Sequence, residues 1–298
     1  MKLASRFSVL ITGINGFTGI HLEQYLRALG YDVYGTVIDT PLSKNHYQCD
    51  ITQVAQIDAV VQSVQPDYVI HIAAISFVGE SNASLIYDVN VLGTENLLQS
   101  LIKHKIEPKK VILASSATVY GNQGKEVLDE SMTPQAVNHY GCSKLAMELI
   151  SANYFDKLPL IITRPFNYTG LGQAEHFLIP KIIKHYKERA KTIELGNLDV
   201  AREFNSIGFI VQSYYKLMLC DDASVVVNLS SNQPIKLLDV IEQMNTIAGY
   251  TIEVAVNPAF VRPNEIASLA GCTQKLESMI GTLPKLSLEE TLTSMYNG

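Results

Sequence analysis

Tyr140 and Lys144 stand four residues apart in a stretch of helical periodicity, residues 140–154, so both side chains leave one face of a helix about one turn apart. A free tyrosine has a pKa of about 10, too high to exchange protons readily near neutrality, and a neighbouring ammonium favours the phenolate and lowers that value. A reductase asks less of the pair, because a neutral Tyr140 can donate its proton to a carbonyl oxygen. Ser116 lies 24 residues earlier, at the end of the strand-like run 110–116, where open α/β sheets bind ligands. It is placed to hydrogen-bond the same substrate oxygen. Taken singly, Tyr-x-x-x-Lys is also an ordinary surface pair, and Ser115-Ser116 also a turn cap. Their order along the chain, each on a suitable element, is what points to acid–base chemistry.

A second group of residues is suited to phosphate. Gly13, Asn15, Gly16, Phe17, Thr18 and Gly19 lie between the strand-like run 7–12 and a helix over residues 21–30. Glycines there let the backbone turn tightly, approach a pyrophosphate and pack helix against strand. The N–H groups of the following helix then face the phosphates without help from Lys or Arg. An acid about 20 residues beyond the glycines holds the adenosine ribose of NAD, whereas Arg suits the phosphate of NADP. Asp39 follows Gly19 by 20 positions, which leans towards NADH, with Lys44 close enough to temper the preference. Asp50, with Ile51, follows the next short strand and either meets the adenine or is a plain surface acid.

These groups need a scaffold, and the chain supplies repeated strand–helix units. Strands are expected at 7–12, 32–38, 67–74, 110–116 and 159–166, with helices at 21–30, 56–64, 89–104 and 140–154. That alternation implies a Rossmann-type doubly wound parallel sheet, an α/β fold, with helices on both faces. The regularity loosens after residue 166 and returns with a helix at 209–219 and a strand at 224–230. Residues 1–166 and 204–232 are therefore read as the dinucleotide-binding domain. Residues 167–203 and 233–298 form a smaller mixed α/β lobe that binds substrate. The chain has 298 residues, 47% hydrophobic and 17% charged, with a net charge of −6, which argues against a nucleic-acid binder. Four scattered cysteines without a Cys-x-x-Cys pair suggest reduced thiols in the cytoplasm. No metal site and no membrane span are expected.

Together these motifs resemble the extended short-chain dehydrogenase/reductase family over essentially the whole chain. The resemblance implies that Tyr140 is the acid/base, Lys144 its pKa-lowering neighbour and ribose ligand, and Ser116 the group that orients the carbonyl. It extends the cofactor site (Gly13 to Gly19, Asp39, Asp50, Ile51, Tyr140 and Lys144) to Ala73, Ala74, Asn90, Ser115 and Pro165. His71, at the start of the same His-Ile-Ala-Ala run, is equally a satisfied core imidazole. Three stretches, Arg164–Gln173, Leu195–Asp199 with Arg202, and Arg262–Glu265, are similar to the GDP-mannose 4,6-dehydratase and GDP-4-keto-6-deoxymannose reductase branch. They imply a nucleotide-sugar site of Ser116, Thr118, Asn167, Lys181, Leu195, Asn197, Arg202, Arg262 and Glu265. An acidic protein that binds a diphosphate should concentrate arginines there, since Arg offers bidentate phosphate contacts.

Within that branch the dehydratases carry an acid two residues after the active-site Ser or Thr; here Ala117 and Thr118 follow Ser116, so dehydration is disfavoured. The expected activity is NAD(P)H-dependent 4-keto reduction of a GDP-linked 4-keto-6-deoxy sugar. A nucleotide-sugar 4-epimerase with tightly held NAD is the alternative, because Ser-Ala-Thr-Val-Tyr also resembles the UDP-galactose 4-epimerase segment. A cofactor-sensing protein without turnover is the remote third reading. The chain departs from the family at Phe209, where an acid is usual, and at Gly281-Thr282, where Gly-Trp is usual. Pairing through residues 90–104 and 140–154, giving a homodimer, is also implied by the resemblance.

Overall fold

The computed structural model describes residues 7–76, 82–261, 268–284 and 286–298. The chain runs β1 (Ser8–Thr12), α1 (Phe17–Ala28), β2 (Asp32–Val37), β3 (His46–Gln48), α2 (Val54–Val64) and β4 (Tyr68–His71). It continues through α3 (Ala83–Tyr87), a π-helical turn over Asp88–Leu92, α4 (Gly93–Lys103), β5 (Lys110–Ala114), a 3-10 turn over Ala117–Tyr120 and β6 (Val127–Leu128). Next come α5 (His139–Ala152), β7 (Leu160–Pro165), β8 (Tyr168–Thr169), α6 (Leu178–Lys187), β9 (Thr192–Leu195), β10 (Ala201–Arg202) and β11 (Asn205–Ser206). The remainder is α7 (Ile207–Leu219), β12 (Val225–Leu229), β13 (Ile235–Lys236), α8 (Leu237–Ala248), β14 (Glu253–Val256), β15 (Ser268–Gly271), α9 (Gln274–Ile280) and α10 (Leu288–Asn297).

Seven strands form one sheet in the order β3-β2-β1-β4-β5-β7-β12, every neighbouring pair parallel. Strand order reverses between β1 and β4, so a crevice opens at the carboxyl ends of those two strands, the place where open α/β sheets take ligands. The apolar runs of β1, β4, β5 and β7 are buried on both faces, as a helix-covered parallel sheet demands. Leu22, Leu26, Tyr214 and Leu217 from α1 and α7 fill one face, and Val60, Leu97, Leu101 and Met147 from α2, α4 and α5 fill the other. A separate core is built on Ile182, Ile193, Val240 and Leu292, from α6, β9, α8 and α10. A small mixed sheet of β13, β10, β15 and β6 sits beside it.

Several boundaries differ from the periodic reading. β4 stops at His71, because the next residues leave the ladder and cross above β1. α1 starts four residues earlier than the apolar period suggests, since its first turn is held by glycine rather than by packing. The stretch 89–104 is not one uniform helix: its start widens into a π-helical turn around Asn90, whose side chain is spent on tertiary contacts. Two-residue strands such as β8, β10 and β11 carry no periodicity and were not anticipated. No helix among the described residues is long and apolar enough to cross a membrane.

Candidate active site

The turn after β1 has the shape a pyrophosphate needs. Gly13 adopts φ +71°, and a Cβ there would lie 2.9 Å from the Ala73 Cα, so only glycine lets β1 pass beneath the segment after β4. At Gly19 a Cβ would stand 2.6 Å from the Gly13 carbonyl oxygen, which presses α1 against the turn. Gly16 caps α1 without any side-chain hydrogen bond, and Asn15 and Gly16 are exposed. The first N–H groups of a 12-residue helix are thus left for an anion, and the turn fits a dinucleotide. Asp39 is exposed just beyond β2. Asp50 is partly committed: its Oδ1 accepts from the Thr52 N–H at 2.9 Å and hydroxyl at 2.7 Å. The Ile51 side chain is buried in the core against Gly93, so only its main chain can meet a ligand.

Asn138 caps α5 by accepting from the Gly141 N–H at 2.8 Å, which sets Tyr140 in the first helical turn. The Tyr140 hydroxyl hydrogen-bonds Ser116, at the carboxyl end of β5. Thr118 donates to the Ser116 Oγ through its hydroxyl at 2.9 Å and its N–H at 3.2 Å, so the three hydroxyls form one polarised chain. Burial pushes Tyr140 up to about 12, against the Ser116 hydrogen bond and with the neighbouring Tyr168 adding to the rise. The rise leaves the phenol as a neutral proton donor. Lys144 is 4% exposed and donates to the Ala114 carbonyl at 2.6 Å. Burial brings its own pKa down to about 8, with Glu148 acting in the opposite direction.

Ala73 and Ala74 follow β4 at the mouth of the crevice, half-buried, as is Pro165 at the end of β7. Asn90 does not face that opening with its amide. Its Oδ1 accepts from the Ile75 N–H at 2.8 Å, and its Nδ2 donates to the Ile75 carbonyl at 3.1 Å and to Ser143 at 3.0 Å. Asn90 thus ties the loop after β4 to α5, and as a direct cofactor ligand it is corrected to a brace. Ser115 likewise donates to the buried Glu148 carboxylate rather than to the crevice. His71 is the core imidazole. Thr94 donates to the Asn90 carbonyl at 2.8 Å, so it accepts from the Nε2–H of His71, whose Nδ1 accepts from Thr12. Burial drives its pKa down to about 3, and it stays neutral.

The residues expected to bind the nucleotide sugar are partly engaged with their own surroundings. Asn167 is exposed and lends its carbonyl to the Asn205 N–H at 2.9 Å. Lys181 donates to the Glu194 carbonyl at 2.9 Å and lies 4.4 Å from the Phe260 ring centroid. Leu195 is corrected: its side chain is packed into the lobe core and its carbonyl accepts from Asn257, because strand alternation turns it inward. Asn197 and Arg202 are half-buried, and Arg202 donates to the Ala201 carbonyl at 2.7 Å. Arg262 and Glu265 lie outside the described residues. Two buried acids were missed altogether. Glu148 holds Arg164 through two hydrogen bonds of 3.0 and 2.6 Å. Glu203 accepts from the Asn205 side chain, the Ser230 hydroxyl and the Ser231 and Gly271 N–H groups. Glu148 was findable as the next i+4 step after Lys144; Glu203 has no local signal.

A Tyr-x-x-x-Lys helix whose phenol meets a strand-end serine beside the crevice of a Rossmann-type sheet is the arrangement of NAD(P)-dependent extended short-chain dehydrogenases/reductases. The family described as GDP-mannose 4,6 dehydratase matches residues 10–295, and the chain belongs to it. Among its relatives, a GDP-6-deoxy-D-talose 4-dehydrogenase from Aggregatibacter actinomycetemcomitans is 33% identical, spanning 97% of this chain and 96% of its own. A GDP-6-deoxy-D-mannose reductase from Pseudomonas aeruginosa is 28% identical over 97% of this chain and 96% of its own. The solved structure of RMD from Pseudomonas aeruginosa complexed with NADPH has a TM-score of 0.87 at 26% identity, covering 98% of each chain.

Proposed function

We propose that this enzyme is a 4-keto reductase for a GDP-linked 4-keto-6-deoxy sugar. The observation that carries the reading is the Thr118–Ser116–Tyr140 chain of hydroxyls, which ends on a neutral phenol and contains no carboxyl group. A dehydratase needs an acid beside the reacting sugar; Ala117 and Thr118 supply none. The bound nicotinamide supplies the hydride. Tyr140 protonates the oxygen at sugar C4 as it becomes an alkoxide, Ser116 orients that oxygen, and Lys144 places a positive charge next to it. The relatives that act on GDP-6-deoxy sugars support the substrate class, and Asn167, Lys181, Asn197 and Arg202 are its candidate ligands. Asp39, exposed at the end of β2, favours NADH over NADPH by repelling a ribose phosphate.

With GDP-4-keto-6-deoxymannose the protein should oxidise one equivalent of NADH per sugar, read at the nicotinamide absorbance, and NADPH less efficiently. Epimerisation with no net cofactor consumption would refute the reading. We further propose a homodimer through α4 and α5. Ile102 on α4, Leu149 on α5 and Leu92 in the turn leading into α4 are 39%, 65% and 52% exposed, apolar surface available to a second copy. Leu149→Arg should turn a dimer into a monomer by light scattering; an unchanged mass would place the interface elsewhere.

A further inference from the structure

The helix that carries Tyr140 and Lys144 carries a third polar group on the same face, one turn further on. Glu148 is 5% exposed, and everything around it is arranged to keep its carboxylate in place. Arg164, on β7 and 4% exposed, grips it with Nε and Nη2, and the Arg164 guanidinium lies 4.7 Å from the Tyr120 ring centroid. Ser115 donates to the same carboxylate from the end of β5. The residue before it, Ala114, is the one whose carbonyl receives the Lys144 ammonium. Strand end, helix face and ion pair are thereby locked to one another around a single lysine.

We propose that Glu148, clamped by Arg164 and Ser115, is a positioning residue that acts through Lys144, holding it as the cation of the crevice. This rests on the reductase reading only in saying which reaction benefits. Lys144 has Tyr140 and Glu148 one turn to either side on its own helix and His71 near it from β4, with Arg164 from β7 paired to Glu148. His71 is neutral, so the Glu148 carboxylate is the group that opposes the loss of the lysine proton on burial. A buried pair with no task beyond stability is replaceable by apolar side chains, and this one should not be.

The test follows the Lys144 side chain by NMR in the full-length protein labelled at lysine, with the signal assigned by its disappearance in Lys144→Met. The wild-type ammonium should titrate near pH 8. In Glu148→Gln the midpoint should fall by about one pH unit, whereas Glu148→Asp, which keeps the charge, should restore it. The alkaline limb of kcat should move down by the same amount. Should Glu148→Gln not fold because Arg164 is orphaned, Arg164→Gln reads the same link with the opposite sign: the carboxylate loses its counter-cation and the Lys144 midpoint should rise. A Lys144 midpoint that stays in place without the carboxylate overturns the proposal, even if the variant is less stable. The titration needs no substrate, so failure of the wild-type protein to turn over the keto sugar would sink the reductase reading and leave this inference standing.

Discussion

Tyr140→Phe should lower kcat by about 10²–10⁴-fold while dinucleotide affinity stays close to that of the wild type. The substitution removes one oxygen and leaves the ring in place, so packing survives and the loss is one of chemistry. The phenol is the end of the Thr118–Ser116–Tyr140 chain, and burial holds it in the protonated form that a reductase must spend on the developing alkoxide. Without it the alkoxide would have to take its proton from Ser116 or from water. Steady-state rates with the keto sugar, together with a fluorescence titration of the reduced cofactor, separate the two effects. A variant that binds cofactor and retains its rate would return the protein to the non-catalytic class considered from the sequence.

The largest stability effect is expected at Glu203. Its carboxylate is 1% exposed and accepts from Asn205, Ser230 and the main-chain N–H groups of Ser231 and Gly271, which ties its own stretch of chain to two distant ones. Glu203→Ala leaves two buried N–H groups without an acceptor, each costing about 1–3 kcal/mol, so unfolding in urea should show a loss of roughly 3–5 kcal/mol. Glu203→Gln should lose less, because the amide keeps one acceptor oxygen. A change within 0.5 kcal/mol would mean that water or a shifted side chain satisfies those donors equally well.

The parts of this protein legible in its sequence are those whose determinants are local. The buried strands and amphipathic helices announce themselves by period, and the Gly13–Gly19 turn by the conformation that only glycine adopts there. Tyr140 and Lys144 needed nothing more than the pitch of a helix. What escaped depends on side chains that meet from distant positions. Asn90 has the residue type and location of a ligand, yet Ile75 and Ser143 claim its amide. Leu195 lies within a motif that resembles a ligand-binding stretch, yet its place in β9 points it into the core. The burial that raises Tyr140 depends on what packs around the phenol and is invisible in a linear string.

With the two-lobe division proposed from the sequence, the chain would pass between lobes near residues 166, 203 and 232, and Glu203 ties its own stretch there to Ser230, Ser231 and Gly271. A lobe interleaved in this way is no transplantable cassette: exchanging it whole with a relative would sever every tie at once. New sugar preferences should accordingly arise by changing exposed side chains and loop lengths around the cleft, with the crossings left intact.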